Sequence, residues 1–189
     1  MNTIIAEQKQ QARLQGQAQR KLLPADRRKQ LAMELIAHAE ALCIPPAKCI
    51  AGYWPIRDEI DPRPLLSSFE DKGYPLCLPM VIGCDLEFRP SNKASLLVSA
   101  GFGSYAPAEG HAIPDVILLP LSAFDSRGGR VGYGKGYYDR AVAELEKKRC
   151  PRLIGVAFSC QEVACVPQET HDKRLDGVLC ETGYRDFSA

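Results

Sequence analysis

The chain has 189 residues, enough for one domain that buries most of its apolar side chains in a single core. Its 24 Lys and Arg residues against 23 Asp and Glu residues give a net charge of +1, which excludes a strongly basic nucleic-acid surface and a strongly acidic one. We therefore expect a single domain over residues 1–189 with no nucleic-acid partner, and any anion-binding site must be local.

The N-terminal residues lack the apolar stretch of a signal peptide, and no apolar run approaches the roughly 20 residues that span a bilayer. We therefore expect a cytoplasmic monomer that binds no membrane. Eight scattered cysteines, without a C-x-x-C pair, favour reduced and mostly buried thiols over a disulfide or zinc framework. They are Cys43, Cys49, Cys77, Cys84, Cys150, Cys160, Cys165 and Cys180.

Two helices are predicted at the start of the chain. Residues 2–20 are rich in Gln, Ala, Lys and Arg, which favours an exposed helix. Pro24 suits the first turn of a second helix, which Pro45 ends after one apolar stripe. That stripe consists of Leu31, Leu35, Ile36, Ala39 and Leu42.

Strands and helices then alternate. The pattern predicts strands at residues 49–54, 74–81, 86–89, 115–120, 153–158 and 177–180, helices at 62–72 and 136–149, and a loop at 99–114. The continuous apolar run at 115–120 indicates a strand that is covered on both faces. This order predicts a three-layer α/β/α domain with a mostly parallel, Rossmann-like central sheet, as in sugar-phosphate and CoA-transfer enzymes.

A glycine-rich loop lies between the strand at 115–120 and the helix at 136–149. Its glycines, which allow close approach of the backbone to a ligand, are Gly129, Gly132, Gly134 and Gly136. A helix that begins at the end of this loop would point its positive N-terminus at an anion, and Arg130 and Lys135 add cationic charge. The loop therefore suits phosphate, and a flexible surface turn is the alternative.

The loop matches neither common nucleotide fingerprint. Residues 129–135 meet the first seven positions of G-x-x-x-x-G-K, but Gly136 stands where Ser or Thr would bind magnesium. The tyrosines Tyr137 and Tyr138 also replace the helix-packing glycine of a dinucleotide-binding loop. Magnesium would need oxygen ligands from elsewhere, and the candidates are Asp139 and Asp172; without a ligand, each would serve as a helix cap or a surface charge.

Three segments carry a resemblance to a known family. Residues 130–140, RVGYGKGYYDR, preceded by Ala123-Phe124-Asp125, closely resemble the signature of the 5-formyltetrahydrofolate cyclo-ligases, also called 5,10-methenyltetrahydrofolate synthetases. Residues 53–61 and 166–176 match that family in the same order. Members convert 5-formyltetrahydrofolate and ATP to 5,10-methenyltetrahydrofolate, ADP and phosphate, and they use magnesium.

The resemblance implies roles for individual residues. The implied ATP ligands are Arg130, Val131, Gly132, Tyr133, Gly134, Lys135, Gly136, Tyr137 and Tyr138, together with Lys9 and Arg13 on an N-terminal helix at residues 1–22. The implied folate contacts are Trp54, Glu59, Tyr133, Gly134, Lys135, Gly136 and Tyr137. Asp139 and Asp172 would hold magnesium, and Lys135, Arg130 and Tyr133 would be catalytic. From the residues alone, Trp54 suits a core position and the pair Lys9 and Arg13 suits a solvated helix face.

One departure from the family and two alternatives remain at this stage. Where many members carry Glu-Pro before the central strand, this chain has Ala106-Pro107, and the missing carboxylate is either lost or supplied by Glu109. The same pocket could serve a folate- or nucleotide-binding protein without turnover. The α/β order alone would also suit a sugar-phosphate or CoA-transfer enzyme, which needs no ATP cleavage.

Overall fold

The computed structural model describes residues 3–188, so Asn2, where the first helix was predicted to begin, lies outside the described residues. The helices are α1 (Thr3–Leu22), α2 (Ala25–Glu34), a 3-10 helix (Leu35–Leu42), α3 (Arg63–Asp71), α4 (Tyr137–Glu146) and a 3-10 turn (Ser159–Gln161). The second predicted helix therefore changes type at Leu35. Its apolar stripe still faces the core, because Leu35, Ala39 and Leu42 are buried.

The strands are β1 (Ile50–Ala51), β2 (Leu76–Ile82), β3 (Asp85–Ser91), β4 (Leu97–Gly101), β5 (Ser104–Pro107), β6 (Val116–Pro120), β7 (Ala123–Phe124), β8 (Arg130–Val131), β9 (Arg152–Val156), β10 (Gly177–Cys180) and β11 (Gly183–Asp186). Seven of them form one sheet in the order β11-β10-β9-β6-β1-β2-β3. The five inner strands are parallel, and β3 and β11 are antiparallel at the two edges. The predicted mostly parallel sheet is confirmed.

Three details of the prediction were wrong. The predicted loop at 99–114 contains an antiparallel hairpin of β4 and β5, which turns at Phe102 with its φ of 54° between two glycines of positive φ. A further strand, β11, follows β10, and β1 is much shorter than residues 49–54. Small and polar residues in the hairpin hid its alternation, and the short β1 gains its pairing from neighbours on both sides.

Helices cover both faces of the sheet. On one face, α2, the 3-10 helix and α3 bury leucines such as Leu31, Leu42 and Leu65 against β6 and β9. On the other face, α4 buries Ala141 and Val142. Each fully buried leucine contributes about 1.5–3 kcal/mol, so this two-sided burial accounts for the continuous apolarity of β6.

Helix α1 lies across the segments that follow the strands rather than against a sheet face. Its buried residues Ala12, Gly16 and Arg20 recur every four positions and therefore share one side of the helix. At Gly16 the helix lies so close to its neighbour that an added Cβ would be 2.1 Å from the carbonyl oxygen of Ser122. Glycine is therefore required for this approach.

The eight cysteines, all within residues 3–188, are free, as predicted. The prediction that most are buried was wrong, because Cys77 and Cys180 are buried and four others are exposed. Cys49 and Cys77 lie on neighbouring segments with their sulfurs 3.7 Å apart. Among the described residues, the structure contains no helix long and apolar enough to cross a bilayer.

Candidate active site

The sheet has a topological switch point between β1 and β6. The two strands are parallel neighbours, and the chain proceeds from β1 to β2 on one side and from β6 to β9 on the other. In open α/β sheets, ligands bind in the crevice at the carboxyl ends of such strands. Here that edge carries residues 52–62 after β1, the segment 121–136 after β6 and the segment 157–176 after β9.

The glycine-rich loop lies at this edge, and its first residues include β8, which pairs with β7 in a small antiparallel hairpin. Asp125 fixes its base, because its buried carboxylate accepts hydrogen bonds from the backbone N–H groups of Arg127, Gly129 and Val166 at 2.8 to 2.9 Å. Gly134 has a φ of 90°, a conformation that favours glycine. The loop thus presents its backbone beside the start of α4.

Helix α4 begins at Tyr137, directly after Gly136. Within the described chain, no side chain caps this N-terminus, and Gly136 adopts a left-handed conformation with a φ of 66°. The first N–H groups of a helix have no partner within the helix and carry partial positive charge. The loop and the helix start therefore present free N–H groups of the kind that an anion site uses.

Lys9 and Arg13 both reach this edge from α1. The Nε of Arg13 donates a hydrogen bond of 2.6 Å to the carbonyl of Gly132. An added Cβ at Gly134 would lie 3.1 Å from the Arg13 guanidinium. The Lys9 ammonium contacts the carboxylates of Glu169 and Asp172 at 2.8 and 2.5 Å. The pair is therefore engaged with both predicted parts of the site and is not a free, solvated face.

Asp139 lies in the first turn of α4. Its Oδ1 accepts a hydrogen bond of 2.7 Å from Arg130 and one of 3.3 Å from the backbone N–H of Lys173. The second contact brings α4 beside the segment that carries Asp172, although the two aspartates are far apart in sequence. Arg130 has its positive charge paired with Asp139 in this structure.

Asp172 belongs to a small acidic cluster with Glu169 and His171. One ligand atom from each of the three lies within 4.8 Å of the others, and among the described residues Asp139 is not a member of that cluster. Burial opposes ionisation of Asp172, but the N–H of Glu169 and the Lys9 ammonium hold its pKa below the ordinary value. The carboxylate is therefore ionised at neutral pH and suits a hard cation such as magnesium.

Glu59 ends a tight turn after β1. Its Oε2 accepts a hydrogen bond of 2.8 Å from the N–H of Ile56, and its own N–H donates one of 3.1 Å to the Ile56 carbonyl. The buried Oε1 has no hydrogen-bond partner among residues 3–188. Burial raises the pKa of Glu59 to about 7. A buried, unpartnered acceptor of this kind can bind a ligand that presents N–H donors.

Aromatic side chains and cations line the rest of the edge. Trp54, which is half buried, packs edge-on against Tyr105 with ring centroids 5.3 Å apart, and the Arg63 guanidinium lies 4.5 Å from its centroid. The Lys135 ammonium lies 4.1 Å from the ring centroid of Phe102, at the tip of the β4–β5 hairpin. This hairpin therefore contacts the glycine-rich loop.

Sequence reasoning missed Arg20, Asp58 and Phe102. Arg20 is 1% exposed and contacts both Asp58 and Tyr133, although its position in a polar helix suggested solvation. The small residues Ala12 and Gly16, four positions apart, were the signal that marks the buried face on which Arg20 lies. Phe102 was missed because the hairpin that carries it was read as a loop.

The family departure at Ala106 lies on β5. Ala106 is fully buried, and Glu109 is exposed in the segment that follows. Arg89 on β3 donates hydrogen bonds to the carbonyls of Pro107 and Ala108, so backbone oxygens hold this arginine where β5 ends.

The fold and the crevice define an α/β enzyme of the doubly wound type, and comparisons with known proteins specify its family. The 5-formyltetrahydrofolate cyclo-ligase family model matches residues 5–181. A 5-formyltetrahydrofolate cyclo-ligase of Haemophilus influenzae is 30% identical over 149 residues, which are 70% of this chain and 75% of that protein. The mouse (Mus musculus) enzyme of the same name is 28% identical over 168 residues, 80% of each chain.

Two solved structures have the same fold as this chain. The Aquifex aeolicus 5,10-methenyltetrahydrofolate synthetase superposes with a TM-score of 0.79 at 31% identity, over 96% of this chain and 93% of that one. A 5,10-methenyltetrahydrofolate synthetase from Mycoplasma pneumoniae, at 24% identity, shares the fold with a TM-score of 0.71 over 92% of this chain and 98% of that one. The chain belongs to the 5-formyltetrahydrofolate cyclo-ligase family.

Proposed function

We propose that the protein converts 5-formyltetrahydrofolate and ATP to 5,10-methenyltetrahydrofolate, ADP and phosphate, with magnesium, in the crevice between β1 and β6. The observation that carries the proposal is the joint position of two sets of residues at this edge. The anion-binding loop with Lys9 and Arg13 lies on one side, and the buried acceptor of Glu59 lies on the other. Family membership supports the same reaction.

The formyl oxygen of the substrate is a poor leaving group and must be phosphorylated before it can leave. The formyl oxygen attacks the γ-phosphorus of ATP, and ADP leaves. The neighbouring folate nitrogen N10 then attacks the formyl carbon and loses its proton, the bond between that carbon and the phosphorylated oxygen breaks, and phosphate leaves as the methenyl bridge forms. Phosphoryl transfer of this kind depends on positioning and charge stabilisation more than on covalent catalysis.

The residues of the loop supply that stabilisation. Residues 130–138 would surround the phosphates with backbone N–H groups, and Lys135 would neutralise charge that develops on the transferred group. Arg130 would exchange its contact with Asp139 for phosphate oxygens. Lys9 and Arg13 would bind the phosphates from the opposite side, since both already lie against this loop and its neighbour.

The folate would bind on the Glu59 side. The free Oε1 of Glu59 would accept hydrogen bonds from the donor-rich edge of the pterin. Trp54 would add apolar surface, and Tyr133 and Tyr137 would contact the substrate near its formyl group. Tyr133 joins the two halves of the site because its hydroxyl lies in the same hydrogen-bond network as the Glu59 turn.

Asp139 and Asp172 would hold magnesium. Asp139 and Asp172 offer hard carboxylate oxygens on segments that a hydrogen bond holds together. When bound, magnesium would neutralise phosphate charge and help to hold the nucleotide in position. The two carboxylates would hold it there, and Lys9 would retain Glu169 as its partner.

The test is an absorbance assay with purified protein. With 5-formyltetrahydrofolate, ATP and magnesium, we expect the near-ultraviolet absorbance of the methenyl product to appear. Omission of ATP or addition of a chelator should abolish it. Well-folded protein that gives no absorbance change under the complete conditions would disprove the proposed reaction.

A further inference from the structure

Arg20 joins four segments that meet at the active-site edge. It lies on α1, and its NH2 nitrogen donates hydrogen bonds of 2.7 Å to Asp58 and 3.1 Å to the hydroxyl of Tyr133. Its NH1 nitrogen lies 3.5 Å from the carbonyl oxygen of Leu121, directly after β6. The guanidinium thus connects α1, the turn after β1, the end of β6 and the glycine-rich loop.

The burial of this arginine is unusual for its residue type. Arg20 is 1% exposed, and a buried charge is costly unless it is paired and hydrogen-bonded. The ion pair with Asp58, whose side chain is 15% exposed, offsets part of that cost. The Nε of Arg20 and the Oδ2 of Asp58 have no hydrogen-bond partner among residues 3–188. If Arg20 only held α1 against the turn, its hydrogen bond to Asp58 would be sufficient. The second hydrogen bond, to Tyr133, would then have no purpose.

The turn that Asp58 belongs to is conformationally demanding. Arg57 has a φ of 57°, a region that side chains other than glycine rarely adopt. Its guanidinium lies 5.3 Å from the centroid of the Tyr133 ring. Tyr133 is therefore held at its hydroxyl by Arg20 and over its ring by Arg57, beside a turn that ends at Glu59.

We propose that Arg20 is a positioning residue whose guanidinium fixes the Tyr133 hydroxyl and, through Asp58, the turn that carries Glu59, so that both residues face the folate in one geometry. The inference rests on the proposed folate roles of Tyr133 and Glu59. Arg20 itself acts through these residues. A guanidinium suits the task because its planar fork reaches several acceptors at once, which an ammonium cannot do.

The test is a mutant cycle between Arg20 and Tyr133. Arg20→Lys keeps a positive charge for Asp58 but loses the multiple contacts, and Tyr133→Phe removes the hydroxyl alone. We expect each variant to raise the KM for 5-formyltetrahydrofolate about tenfold and to lower kcat, while the KM for ATP changes less than twofold. Because Arg20 and Tyr133 share one contact while Arg20 also acts through Asp58, the double variant should be worse than Tyr133→Phe but clearly better than the product of the two single losses.

Additive losses in the double variant, about a hundredfold in KM, would overturn the inference, because Arg20 would then act independently of Tyr133. Wild-type kinetics in either single variant would also overturn it. If Arg20→Lys does not fold, Asp58→Asn replaces it in the mutant cycle with Tyr133→Phe, because Asp58→Asn weakens the same ion pair. Lys21→Gln is the control: Lys21 is the exposed neighbour on α1, and its loss should leave both KM values unchanged.

Failure of the reaction is distinguishable from failure of this inference. If the wild-type protein shows no turnover, the proposed function fails. Calorimetry then measures the affinity of the same variants for 5-formyltetrahydrofolate. We expect each single variant to lose about tenfold in affinity and the double variant to lose less than the product of the two losses. Additive losses of affinity would overturn the role of Arg20 even where the enzyme turns over.

Discussion

Glu59 links protonation to stability at the level of a single residue. Burial raises its pKa from 4.5 to about 7, so the folded state holds the proton that the unfolded state loses first. Its contribution to stability is therefore complete below pH 4.5 and is lost as the pH rises through 7. A pKa difference of this size between the folded and unfolded states corresponds to about 3 kcal/mol in the free energy of unfolding.

We therefore predict that the unfolding free energy of the wild type falls relative to that of Glu59→Gln between pH 4.5 and pH 7, as measured by urea denaturation. If Glu59 accepts hydrogen bonds from the pterin as proposed, its ionised carboxylate is the better acceptor, so the wild-type KM for formylfolate should fall over the same pH range. Glu109→Gln, at an exposed carboxylate, is the control. Parallel stability curves for wild type and Glu59→Gln would contradict the prediction.

Asp139 carries the second prediction at this scale. If Asp139 holds magnesium as proposed, Asp139→Asn replaces an anionic ligand by a neutral one of similar shape, so kcat should fall roughly 10- to 100-fold and the magnesium concentration for half-maximal activity should rise. Added magnesium should restore part of the activity. The variant also releases Arg130 from its ion pair. A kcat loss with an unchanged magnesium requirement would show that Asp139 acts through Arg130 alone.

At the scale of elements, α1 is held against the segment after β6 by the close contact of Gly16. Gly16→Ala places a Cβ 2.1 Å from the Ser122 carbonyl oxygen. Alanine would gain up to about 1 kcal/mol of helix propensity, but a backbone oxygen cannot rotate away. We predict a net loss of about 1–3 kcal/mol in urea unfolding and a raised KM for ATP, because Lys9 and Arg13 lie on the same helix.

Gln15→Ala is the matched control for this helix, since Gln15 is exposed and directly precedes Gly16 on α1. It should leave stability and the KM for ATP unchanged. A Gly16→Ala variant with wild-type stability would show that α1 shifts without cost, and the position of Lys9 and Arg13 would then not depend on this contact.

Gly134 tests the glycine-rich loop as an element. Its φ of 90° strains any other residue, and a Cβ would lie 3.1 Å from Arg13. Gly73 has a similar φ of 82°, yet no described atom lies within 4 Å of its added Cβ, and it lies between α3 and β2. We predict that Gly134→Ala and Gly73→Ala lose similar stability, about 1 kcal/mol or more.

The two variants should differ in activity. Gly134→Ala should lose most of its kcat/KM for ATP in a steady-state assay, and Gly73→Ala should keep it. Equal activity in both would mean that the loop does not contact the nucleotide.

The sequence predicted those parts of the fold that local patterns determine. The apolar run of β6 and the glycines before α4 are strong signals, and both elements lie where they were expected. The β4–β5 hairpin was missed because its pairing depends on a turn at Phe102 and on packing of Ala100 and Ala106 against the core. Such packing is long-range and leaves little periodicity in the sequence.

The candidate site also combines residues that the sequence predicted with residues that depend on long-range packing. Lys9 and Arg13 were predicted only from the resemblance to the family, whereas Asp172 was also a candidate from the residues alone. The structure places all three around one edge. The burial of Arg20 could not be predicted from its own helix, because the partners Asp58 and Tyr133 are 38 and 113 residues away. Contacts of that length form only once the sheet order brings β1 and β6 together.

The whole molecule is organised around one crevice. Five parallel strands bring three loops to the same edge, and α1 lies across those loops with Lys9, Arg13, Gly16 and Arg20 in sequence along one side. In the proposed arrangement, the phosphate side and the folate side share Tyr133 and α1. We therefore expect nucleotide cleavage and cyclisation to be coupled, because the proposed reaction uses both ligands in this one crevice.

Simultaneous measurement of ADP and of the methenyl product tests this coupling most directly. With 5-formyltetrahydrofolate, ATP and magnesium, we predict that the two products appear in equal amounts and that neither forms when one substrate is omitted. Release of ADP without formylfolate, or formation of the methenyl product without ADP, would contradict a single crevice that joins the two reactions.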